Sequence, residues 1–140
     1  MKSPKELVDV FRAVGKKVTP QRERIFQILY ESTNHPSAES VFSELVAEMP
    51  SVSLKTVYQT LSELVDLGEI NSLELGLGAM RFDPNVSRIH HHLVCLSCKG
   101  VEDIDLDLPG FAQQVALSSN FSIELVELTM RGTCESCSHR

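Results

Sequence analysis

Nowhere in the 140 residues does an apolar run approach the roughly 20 residues needed to span a bilayer, which excludes a transmembrane helix as a reading of this sequence. The first fourteen residues interleave Lys and Glu with apolar positions. They lack the basic-then-apolar order of a secretory signal, so the expectation is a cytoplasmic chain with no membrane partner. Internal repeats and low-complexity segments are missing too. No Gly-rich substrate loop and no nucleophile–base pair stands out, which turns the reading away from an enzyme. Positive charge is short: 13 Lys and Arg against 19 Asp and Glu leave a net charge of −6. That balance points away from nucleic acid, because phosphate contact needs positive potential. Cysteine is scarce, with four in the chain and none outside two Cys-x-x-Cys pairs. In a reducing compartment such usage indicates metal ligands or redox thiols in preference to structural disulfides.

Local charge departs from the whole-chain balance. Residues 1–24 hold seven Lys and Arg against three acids, a basic segment that permits DNA contact and equally fits a solvated helix face. Helical spacing of Leu7, Val8, Phe11 and Val14, with Gly15 as a stop, predicts a first helix over 5–14. Thr19-Pro20-Gln21-Arg22 reads as N-cap, first-turn proline and helix start, with Ile25, Phe26, Ile28 and Leu29 as the apolar stripe. Ser37 opens a third helix that faces Val41, Phe42, Leu45 and Val46 inward. Ser53 opens a fourth, carrying Val57, Leu61, Leu64 and Val65 toward the core and closing at Gly68.

After Gly68 the period shortens. Residues 70–75 and 79–82 predict two strands around Gly76-Leu77-Gly78, a hairpin wing. Helices followed by such a hairpin make a winged helix-turn-helix whose fourth helix reads DNA. Residues 84–88 are turn-rich and fit a linker. Strands are then expected over 92–95, 101–106 and 123–128, with a helix over 111–117. The fold class is α+β: a winged-helix DNA-binding domain with its hinge over 1–84, then a small α/β domain over 85–140, for which the resemblance set out below implies metal binding and dimerisation.

Cys95-Leu96-Ser97-Cys98 and Cys134-Glu135-Ser136-Cys137 are separated by 35 residues. Each pair can occupy two corners of a tetrahedron around Zn²⁺, so a structural zinc would pin a small subdomain at both ends. A thioredoxin-like redox pair lacks its βαβ setting here, and two unconnected pairs of free thiols are the remaining alternative. His90-His91-His92 stands just before the first pair. On a strand, His90 and His92 share one face while His91 takes the other. Two imidazoles on one face suit a metal, whereas three in a row also fit a solvated tract, and a lone His35 fits a helix end.

Taken together, Thr19-Pro20-Gln21-Arg22, Asn34-His35-Pro36, the stretch 53–61 with Thr56-Val57-Tyr58, Arg81-Phe82-Asp83, the histidine tract and the paired cysteines resemble the ferric uptake regulator superfamily in order and spacing over nearly the whole chain. The likeness is strongest to its peroxide-sensing branch, the PerR repressors. That resemblance implies a regulatory Fe²⁺ or Mn²⁺ held by His35, Asp83, His90, His92 and Asp103, beside Zn²⁺ on the four cysteines. Glu102 and Asp105 flank Asp103 and could take its place. Val126, Glu127 and Leu128 stand where many relatives have the histidine of a further site, so no third site is expected. Nitrogen and carboxylate donors suit Fe²⁺ or Mn²⁺ while four thiolates suit Zn²⁺, so one chain can hold both.

A homodimer on an A/T-rich palindromic duplex follows from the same resemblance. Tyr58 and Gln59 are the candidates for base readout, Lys55 and Thr56 for phosphate or flanking bases, Lys17 for the minor groove and Arg22 for phosphate. A buried core aromatic is the alternative for Tyr58. The implied function is a metal-dependent repressor that senses peroxide. An iron-responsive uptake repressor is the alternative, with zinc or nickel sensing behind it.

Overall fold

The computed structural model describes residues 1–106, 108 and 110–139, which divide into two compact units, Met1–Arg88 and Ile89–Arg140. Among the described residues no helix is long and apolar enough to cross a membrane.

The first unit contains α1 (Pro4–Ala13), α2 (Pro20–Glu31), α3 (Ala38–Glu48) and α4 (Leu54–Asp66), then β1 (Asn71–Leu73) and β2 (Arg81–Asp83). All four helices start on a hydroxyl cap. Ser3, Thr19, Ser37 and Ser53 each accept from the backbone N–H three residues on, satisfying a donor the helix cannot use itself. Ser3 and Glu6 also form a reciprocal capping box, so α1 begins at Pro4, one residue before the expected start. The buried stripes Leu7 and Phe11, Ile25, Phe26, Ile28 and Leu29, Val41 and Leu45, and Val57, Leu61 and Leu64 merge with Ile70 and Phe82 into one core. Val14, expected inside, is exposed. The hairpin pairs Asn71 with Asp83 and Leu73 with Arg81. It is shorter than expected because the turn around Gly76 and Gly78, both at positive φ, spreads over residues 74–80.

The second unit is a three-stranded sheet in the order β4-β3-β5, with β3 (His91–Cys95) central, β4 (Val101–Ile104) antiparallel to it and β5 (Thr129–Gly132) parallel. Two helices complete it, α5 (Phe111–Ser119) and α6 (Glu135–Ser138). The strand expected over 123–128 is instead irregular, and the pairing falls at β5. An apolar-rich segment is a candidate strand but cannot by itself supply a ladder. Both edges of β3 are filled by β4 and by residues 129–132, so the preceding segment lies outside the sheet. Among the described residues the fully buried apolar side chains here are only Val94, Cys95 and Val101, and α5 buries none of its own. Phe111, Val115, Leu117, Phe121 and Leu125 are all exposed.

Candidate metal centres and nucleic-acid face

The two cysteine pairs meet because β3 and β5 run parallel and in register, ending with Cys95 opposite Gly132. Both chains leave the sheet at the same end. The first pair turns at once: Cys95 N–H donates to the Gly100 carbonyl and Lys99 N–H to the Cys95 carbonyl, with Lys99 in the left-handed region at φ 64°. A side chain at Gly100 would stand 3.3 Å from Cys98 Sγ, so glycine keeps this turn open. Cys134 caps α6, and its backbone N–H donates to Cys95 Sγ at 3.4 Å.

Four thiolates on one Zn²⁺ at about 2.3 Å per bond must stand about 3.8 Å apart. Cys98 Sγ and Cys134 Sγ are 3.8 Å apart, and all four sulfurs lie within 4.8 Å of one another. The donor set therefore fits zinc. The backbone N–H groups, that of Cys134 foremost, pull the Cys95 thiol down to about 6, while the Cys134 sulfur and then desolvation push Cys137 up to about 12. Crowded sulfurs share protons unequally until a cation replaces them.

In the first unit, β2 pairs with the segment leading into α3 through a Ser37–Arg81 bridge and a Phe82 N–H bond to the Pro36 carbonyl. The same register sets His35 across from Asp83. His35 adopts φ 48°, a left-handed conformation that few residues with a side chain take, and Arg81 Nη1 donates to its carbonyl at 3.1 Å. His35 Nε2 stands 3.4 Å from Asp83 Oδ1, with both side chains buried. Asp83 also accepts from the Asn85 N–H at 2.7 Å.

In the second unit the cross-strand register puts His92 opposite Asp103. Asp103 Oδ1 is 3.4 Å from His90 Nε2 and 3.8 Å from His92 Nε2, and the two rings meet edge to face at 4.8 Å. Two donors each about 2.1 Å from one ion stand about 3 to 4 Å apart, so both donor groups have metal-ligand spacing. Glu102 pairs with Leu93, one residue out of phase with the His92–Asp103 pair, so strand alternation turns it to the other face. His91 also points the other way, where its Nδ1 accepts from the Leu128 N–H at 3.3 Å.

On the first unit Lys17, Lys55 and Gln59 are exposed and Thr56 is half-buried, its hydroxyl against the Ser53 cap. Tyr58 is 45% exposed, which removes the buried-aromatic alternative, and its hydroxyl donates to Glu39 Oε1 at 2.5 Å. Arg22 is placed differently from its expected phosphate role. Its guanidinium forms an ion pair with Glu63 at 2.9 Å, donates to the Lys17 carbonyl at 2.8 Å, lies over the Phe11 ring, and is 12% exposed. Three residues escaped the sequence reading: Arg81, Glu39 and Glu63. Arg81 sits inside a quoted motif and could have been singled out. Glu39 and Glu63 gave no signal, because their partners are 19 and 41 residues away in the chain.

The sequence profile of the ferric uptake regulator family matches residues 13–131. A ferric uptake regulation protein of Bacillus subtilis strain 168 is 35% identical over 126 residues, covering 86% of this chain and 85% of that protein. The peroxide operon regulator of the same strain is 30% identical over 139 residues, covering 97% and 94%. A solved ferric uptake regulator from Francisella tularensis, with iron, superposes at a TM-score of 0.76 with 27% identity, covering 89% of this chain and 96% of that one.

Proposed function

The chain belongs to the ferric uptake regulator family, and on that premise we propose that it is a homodimeric, metal-dependent repressor that binds duplex DNA in the cytoplasm and releases it on exposure to peroxide. The observation that carries the reading is the segregation of donors. Sulfur gathers at one end of the second unit's sheet, while nitrogen and oxygen gather as His35 with Asp83 in one unit and His90, His92 with Asp103 in the other. Hard and soft donors kept apart suit two different ions.

In this reading Cys95, Cys98, Cys134 and Cys137 hold Zn²⁺ and contribute folding energy to a unit with little apolar core. The two nitrogen–oxygen groups serve one regulatory Fe²⁺ or Mn²⁺. Because their residues come from both units, occupancy selects one arrangement of the units, and in a C₂ dimer that arrangement sets the spacing of the two α4 helices on DNA. Tyr58 and Gln59 read bases of an A/T-rich palindrome, Lys55 and Thr56 meet flanking groups, and Lys17 enters the minor groove. Iron held by these residues would supply a reactivity toward peroxide that Mn²⁺ lacks. The resemblance to the PerR repressors implies His35 or His90 as the side chain oxidised, and an oxidised imidazole would be a poorer ligand.

The test is stoichiometric H₂O₂ on the iron and manganese forms, followed by peptide mass spectrometry and DNA retention. The expected result is one added oxygen on a peptide containing His35 or His90, in the iron form only, with parallel loss of DNA. Cysteine oxidation first, or an iron form that keeps its DNA, would overturn the peroxide reading. The second reading, an iron-responsive uptake repressor, is favoured by the 35% identity to the ferric uptake regulation protein.

A further inference from the structure

Tyr58, the one aromatic side chain on α4, is exposed, yet its ring is not loose. Its hydroxyl donates to Glu39 in the first turn of α3, so a recognition-helix side chain is tethered to a neighbouring helix by a 2.5 Å hydrogen bond. Glu39 is itself well placed there, because a carboxylate two residues past the Ser37 cap complements the positive end of the helix. At neutral pH that carboxylate can only accept. The bond is felt at both ends: the Tyr58 hydroxyl holds Glu39 below the ordinary carboxylate range, and the Glu39 carboxylate raises the Tyr58 phenol.

An untethered aromatic on a solvent-facing helix samples several rotamers and loses that freedom when it meets DNA. We propose that Glu39 is a positioning residue for sequence readout: its carboxylate fixes the Tyr58 ring in the orientation in which it meets base edges. This rests on the reading of α4 as the recognition helix. Glu39 is also an anion beside that contact, so it discourages sequence-independent binding to phosphate.

The experiment uses the full-length, metal-loaded protein and two probes: a duplex selected by the unaltered protein from a randomised pool, and a scrambled duplex of the same composition. Dimerisation and melting temperature are followed alongside. Glu39→Ala and Tyr58→Phe should each lower the selected-to-scrambled affinity ratio by roughly fivefold to tenfold, the net value of one solvent-accessible hydrogen bond. The double variant should lose no more than either single. Glu39→Gln, whose amide oxygen can still accept from the phenol, should keep most of the ratio while binding the scrambled duplex more tightly. Additive losses in the double variant overturn the proposal. An unchanged ratio in Glu39→Ala beside a collapsed ratio in Tyr58→Ala overturns it too and leaves Tyr58 as a reader. No effect of Tyr58→Ala on the ratio removes both.

Discussion

Arg22 serves three partners at once: Glu63 on α4, the Lys17 carbonyl before α2, and the face of Phe11 on α1. Among the described residues, removing it leaves the half-buried Glu63 with only Lys16, at 3.5 Å, as a cation. Arg22→Ala should therefore destabilise the first unit by about 2 kcal/mol, between the values for exposed and buried ion pairs, as measured by urea unfolding. Lys17→Ala should leave unfolding unchanged and chiefly flatten the salt dependence of DNA binding, since Lys17 is exposed. Glu6 gives a pH-dependent case. The hydroxyl and then the N–H of Ser3 hold its carboxyl below the usual range, so its folded pKa is the lower one. The contribution is present above the unfolded carboxylate pKa and fades as pH falls through the folded value. The melting temperatures of the parent and Glu6→Gln should differ at neutral pH and converge in acid. At this scale the caps were legible from Thr19, Ser37 and Ser53, because a cap is read from a few adjacent residues. Ion-pair partners were not, since Arg22 and Glu63 become neighbours only after three helices pack.

Among elements, β5 shows how little tolerance the cysteine site has. Its register on β3 carries Cys134 to Cys95, and a slip of one residue would turn every side chain to the other face. Zinc on the four cysteines would then lock what the ladder aligns. Cys95→Ser or Cys137→Ser should lose zinc and yield monomer or aggregate, because structural Zn²⁺ supplies on the order of 10 kcal/mol to a small domain. A stable, dimeric Cys95→Ser protein measured by light scattering would contradict this. Gly100→Ala should weaken zinc retention against a chelator without removing a ligand, given the 3.3 Å approach to Cys98 Sγ. The cysteine spacing and the shared face of His90 and His92 could be read from sequence because both are local periodicities. The position of β5 could not, since residues 123–128 carry four apolar side chains against one in 129–132 and only the competition for β3 decides between them. The left-handed turn at His35 was equally hidden: a residue before proline is expected to be extended, and φ 48° arises from the pairing of residues 36–37 with β2.

For the whole molecule, the two units differ in what each buries. The first closes around Phe11, Phe26, Leu45 and Leu61. The second leaves Phe111, Val115 and Leu125 lining an open cleft beside Leu128, with Phe121 and Leu117 exposed as well. Apolar surface left open to this extent is characteristic of a chain that finishes its core with a second copy. Folding of that unit then obeys mass action. Its melting temperature should rise with protein concentration while that of the first unit stays fixed, a difference that calorimetry across a hundredfold dilution series would resolve. Substituting Phe121 by Ser should shift the dissociation midpoint upward and leave the first unit's transition alone. Newly made chains at low copy number would then spend longer as half-folded monomers than chains joining an existing pool, so abundance itself would help decide how soon a molecule becomes competent to hold its operator.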